Sequence, residues 1–118
     1  MILRPLFAAL AVLVLAGCAI DPAPNEQVRL TEQALEQAKA VGANADDSAE
    51  LKRAEDKQAK ALADLADESY KDARMQAEQA ELDARLAEAR VLTQKSQEQL
   101  NVLNTRIARL RKQLAHTQ

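Results

Sequence analysis

The chain has no tryptophan, one phenylalanine (Phe7), one tyrosine (Tyr70), one histidine (His116) and one cysteine (Cys18). A chain this poor in aromatic and β-branched residues has little of what sheets are built from. One histidine and one cysteine leave no ligand set for zinc, and one cysteine cannot close an internal disulfide. His116 lies on a helix end that frays, a poor platform for acid–base catalysis. Glycine is limited to Gly17 and Gly42, so no glycine-rich phosphate loop exists. Proline stops at Pro24, and nothing beyond it breaks a helix. A net charge of −2, with Tyr70 the one aromatic beyond Phe7, excludes the basic, stacking surface that nucleic acids require.

Alanine, glutamate, glutamine, lysine, arginine, aspartate and leucine dominate instead. That composition belongs to long helices and coiled coils. The expected class is all-α. A core made largely of alanine buries little area per residue, so the domain should be thin and elongated, or lean on a partner.

The first residues read as an address. Arg4 supplies one positive charge, and Leu6 to Leu15 is an unbroken apolar run of ten residues. That is half of the ~20 needed to span a bilayer, and it matches the apolar region of a secretory signal. Leu15-Ala16-Gly17-Cys18 follows and resembles the lipobox of bacterial lipoproteins. The resemblance implies cleavage between Gly17 and Cys18, with a diacylglyceryl group on the Cys18 thiol and an acyl chain (palmitate or similar) on the new amino group. Small residues before the cysteine let the backbone enter a protease cleft. One acyl chain binds a membrane reversibly, whereas two or three hold it for good. Ala19 after the cysteine, rather than aspartate, favours the outer membrane's periplasmic face over inner-membrane retention.

Residues 1–17 are thus expected to be a signal peptide and 18–25 a lipidated cysteine and tether. Residues 26–118 should form one helical domain, with helices at about 26–41, 48–65 and 69–115. Pro22 and Pro24 keep the tether extended. Asn25 is placed to cap the first helix, whose apolar positions are Val28, Thr31 (by its methyl), Leu35 and Ala38. Gly42 suits the position just past its end. Asp47 with Glu50 reads as an acidic capping box for the second helix. Leu51, Ala54, Ala61 and Leu65 form that helix's stripe, interrupted by Gln58.

The break near Ala66-Asp67-Glu68-Ser69 contains neither glycine nor proline. A continuous helix from Ser48 to about His116 is also allowed. Two features favour a turn. The second stripe does not continue in phase, and a longer one begins at Tyr70: Ala73, Ala77, Ala80, Ala84, Ala87, Val91. Asp67 and Glu68 also suit a new first turn, where negative charge meets the helix dipole.

Tyr70 followed by Ala73 resembles the helix pairs of tetratricopeptide-like proteins. A broader resemblance rests on the lipobox and short tether together with "LTEQALEQAKA" (Leu30 to Ala40), "ADESYKDAR" (Ala66 to Arg74) and "AEQAELDARLAEA" (Ala77 to Ala89). These are similar to the small helical envelope proteins grouped as domain of unknown function 4398. That family implies an α-helical envelope domain and carries no catalytic residues over.

The third helix outruns the other two, and its far half changes character. "TQKSQEQ" (Thr93 to Gln99) has no apolar residue. Beyond it Leu100, Leu103, Ile107, Leu110 and Leu114 form a three/four seam of large aliphatics, as at a coiled-coil interface. All 18 acidic residues lie between Asp21 and Glu98. After Glu98 the charges are Arg106, Arg109, Arg111 and Lys112, which also complement the helix dipole. The aliphatic choice, with Ile107 at a central a position and leucine at d, suits a parallel dimer. Arg106 would there face Arg111 of its mate, a small repulsion that does not exclude self-pairing but tilts the reading toward a heterologous or antiparallel partner with acidic flanks.

The expected protein is therefore non-enzymatic: two short helices packed on one long C-terminal helix, anchored through Cys18. It would dock a periplasmic or wall-associated protein, or itself, through the Leu100–Leu114 seam and Arg106, Arg109 and Arg111. A tetratricopeptide-like adaptor using the helix-pair surface and a homo-oligomeric coiled-coil spacer are the alternatives. No cofactor, metal, nucleic acid or small-molecule substrate is expected apart from the covalent lipid. The major short outer-membrane lipoprotein of enteric bacteria attaches to the wall through a C-terminal lysine. This chain ends His116-Thr117-Gln118, so that route is not expected.

Overall fold

The computed structural model describes residues 21–117. The signal segment, Gly17 and Cys18 lie outside them. Within them the fold is all-α: α1 spans Asn25–Ala40, α2 Ala49–Ala66 and α3 Tyr70–His116. At 1.5 Å per residue α3 is about 70 Å long, against about 25 Å for each of the others. The two short helices pack on the first half of the long one.

The helix ends show how local sequence sets the breaks. Proline at position 24 cannot sit inside a helix, but its carbonyl can start one. Pro24 O accepts the Val28 N–H at 3.0 Å, and Pro24 is the N-cap, with no side-chain bond. Asn25 is therefore the first helical residue rather than the cap. At the other end Gly42 takes φ +102°. The Ala43 N–H donates to Ala38 O and the Gly42 N–H to Lys39 O, both at 2.9 Å, which is a Schellman closure.

The α2 cap also differs from the expected box. Ser48, not Asp47, is the cap, and its hydroxyl accepts the Leu51 N–H at 3.2 Å. Asp47 is spent in the preceding turn, where its N–H donates to Asn44 O. Serine has the shorter reach, and it occupies the last extended position before the helix.

The α2–α3 break is a second Schellman closure. The Glu68 N–H donates to Leu65 O at 3.1 Å and the Ser69 N–H to Asp64 O at 2.8 Å. The left-handed position is filled by Glu68, at φ 60°. A side chain there costs roughly 1–2 kcal/mol. Part of that returns as lost chain freedom when glycine is substituted. Glu68→Gly is thus expected to stabilise the fold by about 0.5–1 kcal/mol, a rise of about 4 °C in melting temperature. A melting temperature that stays level or falls would show that the turn carries no such strain.

α1 runs parallel to α3 and α2 antiparallel to it. The Thr31 hydroxyl lies 2.9 Å from both Gln27 O and Ala77 O, bridging α1 to α3. Near the far end of α1, Lys95 Nζ donates to Val41 O at 2.7 Å. In α2, Lys57 meets Asp83 and Glu50 meets Arg90, each at 2.7 Å. The core is the alanine stripe of α3: Ala73, Ala77, Ala80, Ala84 and Ala87 are buried. Val28, Thr31, Leu35 and Ala38 of α1, and Leu51, Ala54 and Ala61 of α2, are buried as well. Methyl groups on α3 let three backbones approach closely, so three larger apolar residues suffice as wedges: Leu51 at 1 % exposure, and Val28 and Leu35 at 7 %. Gln58 interrupts the α2 stripe as expected. It is buried with neither amide atom hydrogen-bonded, an arrangement that works against stability.

Candidate functional site

Two ends of the molecule differ in kind. At the first, the residues leaving the tether are tied to the base of α3. Arg74 Nη1 lies 3.5 Å from Asp21 Oδ1, and its Nη2 donates to Pro22 O at 3.3 Å. Pro24 is buried there. The attachment point of any N-terminal anchor is therefore the α3 start, where Tyr70 is half-buried beside the turn. Sequence spacing held no signal for this latch, because Asp21 and Arg74 are far apart in the chain.

In the middle, where the α1–α2 loop meets α3, an open groove of about 490 Å³ is lined by Asn44, Asp47, Ser48, Arg90, Gln94 and Lys95 among others. Its cations are engaged. Arg90 holds Glu50, whose carboxylate is 9 % exposed, and Lys95 closes the C-terminus of α1. A hydrogen bond from its own backbone N–H, with Arg90 and Arg53 nearby, keeps the Glu50 carboxyl below the usual carboxylate range despite burial. Hydrogen bonds from Gln27 at 2.7 Å and from Arg85 do the same for Glu81. These groups clamp helices together. Structural partners account for both depressed carboxyls.

At the second end α3 has no neighbour among the described residues. Every described residue from Leu92 onward is exposed. Leu100, Leu103, Ile107, Leu110 and Leu114 are 46–68 % exposed, a level at odds with their size and hydrophobicity. Arg106, Arg109 and Arg111 are exposed on the same stretch, and His116 is the last helical residue. The structure thus brings every sequence-selected aliphatic and arginine of the tail onto one free helix. Gly17 and Cys18 lie outside the described residues. Among those residues no cluster of histidine, cysteine, aspartate or glutamate could hold a metal ion. No described helix is long and apolar enough to cross a membrane.

This three-helix arrangement with a long third helix has relatives. The family model described as "Domain of unknown function (DUF4398)" matches residues 26–103. The chain belongs to the DUF4398 family. A crystal structure of a DUF4398 family protein from Pseudomonas aeruginosa PAO1, at 2.47 Å resolution, is 67 % identical in sequence. It covers 82 % of this chain and all of the solved one, with a TM-score of 0.78. No curated protein matches the chain. The DUF4398 match takes in the whole bundle and ends at Leu103, so Ile107, Leu110, Leu114 and the three tail arginines lie beyond it.

Proposed function

We propose that this DUF4398 protein is a non-enzymatic, lipid-anchored component of the bacterial envelope, held through Cys18 at the periplasmic face of the outer membrane. Its α3 tail docks a partner helix there. The observation that carries the reading is the exposed seam from Leu100 to Leu114, which no other described element covers. Water-exposed leucine and isoleucine at strict three/four spacing are stabilised by burial against a second helix, at roughly 25 cal/mol per Å² covered. The lipobox supplies the anchor, and the Arg74 latch keeps the anchored end at the opposite pole from the seam. An adaptor that used the groove of the α2–α3 pair would find it filled by α1, whose Val28, Thr31, Leu35 and Ala38 are buried.

The test has two arms. Mass spectrometry of the membrane-extracted native protein should find an acylated N-terminal Cys18 and no leader. A free thiol there removes the anchor. Separately, a photoreactive residue at Leu110 should crosslink to protein in intact cells, and the complexes that a lysine-reactive crosslinker recovers with the full chain should be lost on deletion of residues 100–118. Unchanged complexes after the deletion would end the docking reading.

A further inference from the structure

The seam does not begin at Leu100. Extended back along α3 in the same alternation of four and three, its frame passes through Met75, Leu82, Leu86 and Ala89. Met75, Leu82 and Leu86 are exposed at 45, 67 and 43 %. With Leu100 at heptad position a and Leu103 at d, the buried alanine stripe falls at b and f. At ~100° per residue the two faces lie roughly 150° apart. Leu82 and Leu86 are therefore on the outside of the bundle. A heptad frame drifts ~20° every seven residues on a straight helix, and they come into line with the tail when α3 supercoils left-handedly around a partner. One apolar face runs along the bundle and beyond it.

Resting on the docking reading above, we infer that the partner helix is α3 of a second copy of this chain, packed antiparallel and centred near Glu98. Size complementarity carries the inference. In that register Leu114 lies level with Leu82 of the other copy, and Leu110 with Leu86. Ile107 falls opposite Ala89, Leu103 opposite Thr93 and Leu100 opposite Ser96. Ala89, Thr93 and Ser96, which interrupt one seam, each meet a large aliphatic of the other, while Gln79 falls level with Thr117 at the end of the overlap. Antiparallel coiled coils pair a with d across the interface, as these layers do. The overlap is about 50 Å, longer than the three to four heptads that define a coiled coil.

Charge points the same way. A parallel pair in register sets g against the next e. That juxtaposes Glu78 with Asp83, Arg85 with Arg90 and Arg106 with Arg111, three like-charged contacts. The antiparallel register puts Arg85 beside Gln113, Arg90 beside Asn104 and Leu92 beside Arg106. Arg111 comes beside Asp83, which Lys57 already holds at 2.7 Å, so the gain there is small and the absence of repulsion is what counts. On a larger scale the basic tail of each copy lies along the acidic bundle of the other. The two anchored ends then sit at opposite poles, about 70 Å apart at 1.5 Å per residue. A pair lying along one membrane can insert both lipids.

Single-cysteine variants in the full chain, in its native membrane, test this directly. The positions are exposed, so the fold is not at risk. Chains carrying Leu82→Cys and Leu114→Cys, co-expressed and oxidised, should join into a species of twice the mass. Gln97→Cys, next to the two-fold axis, should join to itself, and Leu114→Cys alone should not. Joining by Leu114→Cys alone would mean a parallel pair and overturn the inference. So would the absence of any joined species. In that case, capture of a different protein from Leu110 would leave the docking function standing, whereas no capture at all would remove both.

Discussion

Truncating Leu51 to alanine lowers the stability of the bundle by about 3 kcal/mol, within the 2–5 kcal/mol seen for buried leucines. Leu51 is 1 % exposed and packs in a cluster with Ala34, Leu35, Ala38, Ala43, Ala54, Ala84 and Ala87. Most of those neighbours end in a methyl group. They have no long side chain to swing into the space, so a cavity persists unless whole helices shift. With a slope of about 2 kcal/mol per molar urea, the unfolding midpoint should fall by about 1.5 M with the slope unchanged. A fall under about 0.5 M would mean that the helices close the gap and that Leu51 is not the wedge on which the packing depends.

The converse change is expected to be nearly as costly. Ala84 is fully buried in the same cluster. Leucine there adds bulk where α1, α2 and α3 meet, and overpacking of this kind costs about 3 kcal/mol. Its helices must part, which also weakens the contacts of Ala80 and Ala87 on either side. The two changes are coupled. Leu51→Ala with Ala84→Leu roughly conserves volume, so the double variant should be at least about 1 kcal/mol more stable than the sum of the single effects. Strictly additive urea midpoints would show that the two residues do not share one space.

Much of this architecture is written in spacing. The alanine stripe from Ala73 to Ala87 announces a close-packed face, because small residues at alternating three and four steps present one narrow surface. The change to Leu100, Leu103, Ile107, Leu110 and Leu114 announces a different face for a different neighbour. Gly42 marks a helix end because its left-handed φ is cheap for glycine alone. The turn at Glu68 was legible through a loss of phase and through the acidic pair Asp67-Glu68, but that pair closes α2, and Asp72 is the acid in the first turn of α3. Glutamate is an unusual occupant of the left-handed position. The continuation of the seam through Met75, Leu82 and Leu86 is less visible in the sequence. Ala89, Thr93 and Ser96 dilute it, and only their position opposite the buried stripe shows that it is one surface.

The sequence by itself determined that the chain is helical, that its first break falls at Gly42, and that its C-terminal stretch carries two unlike apolar faces, while the turn at residues 66–69 was settled by the structure. Those features follow from nearest-neighbour chemistry: φ preferences, capping groups and the 3.6-residue period. Only the tertiary structure decided that Ser48 rather than Asp47 closes α2. It alone showed Lys95 capping α1, Arg90 holding Glu50, and Arg74 tying the tether to the base of α3. Each of these depends on which residues, distant in the chain, meet when three helices settle on a row of methyl groups. That is set by the depth and rotation of packing, quantities that no local pattern encodes.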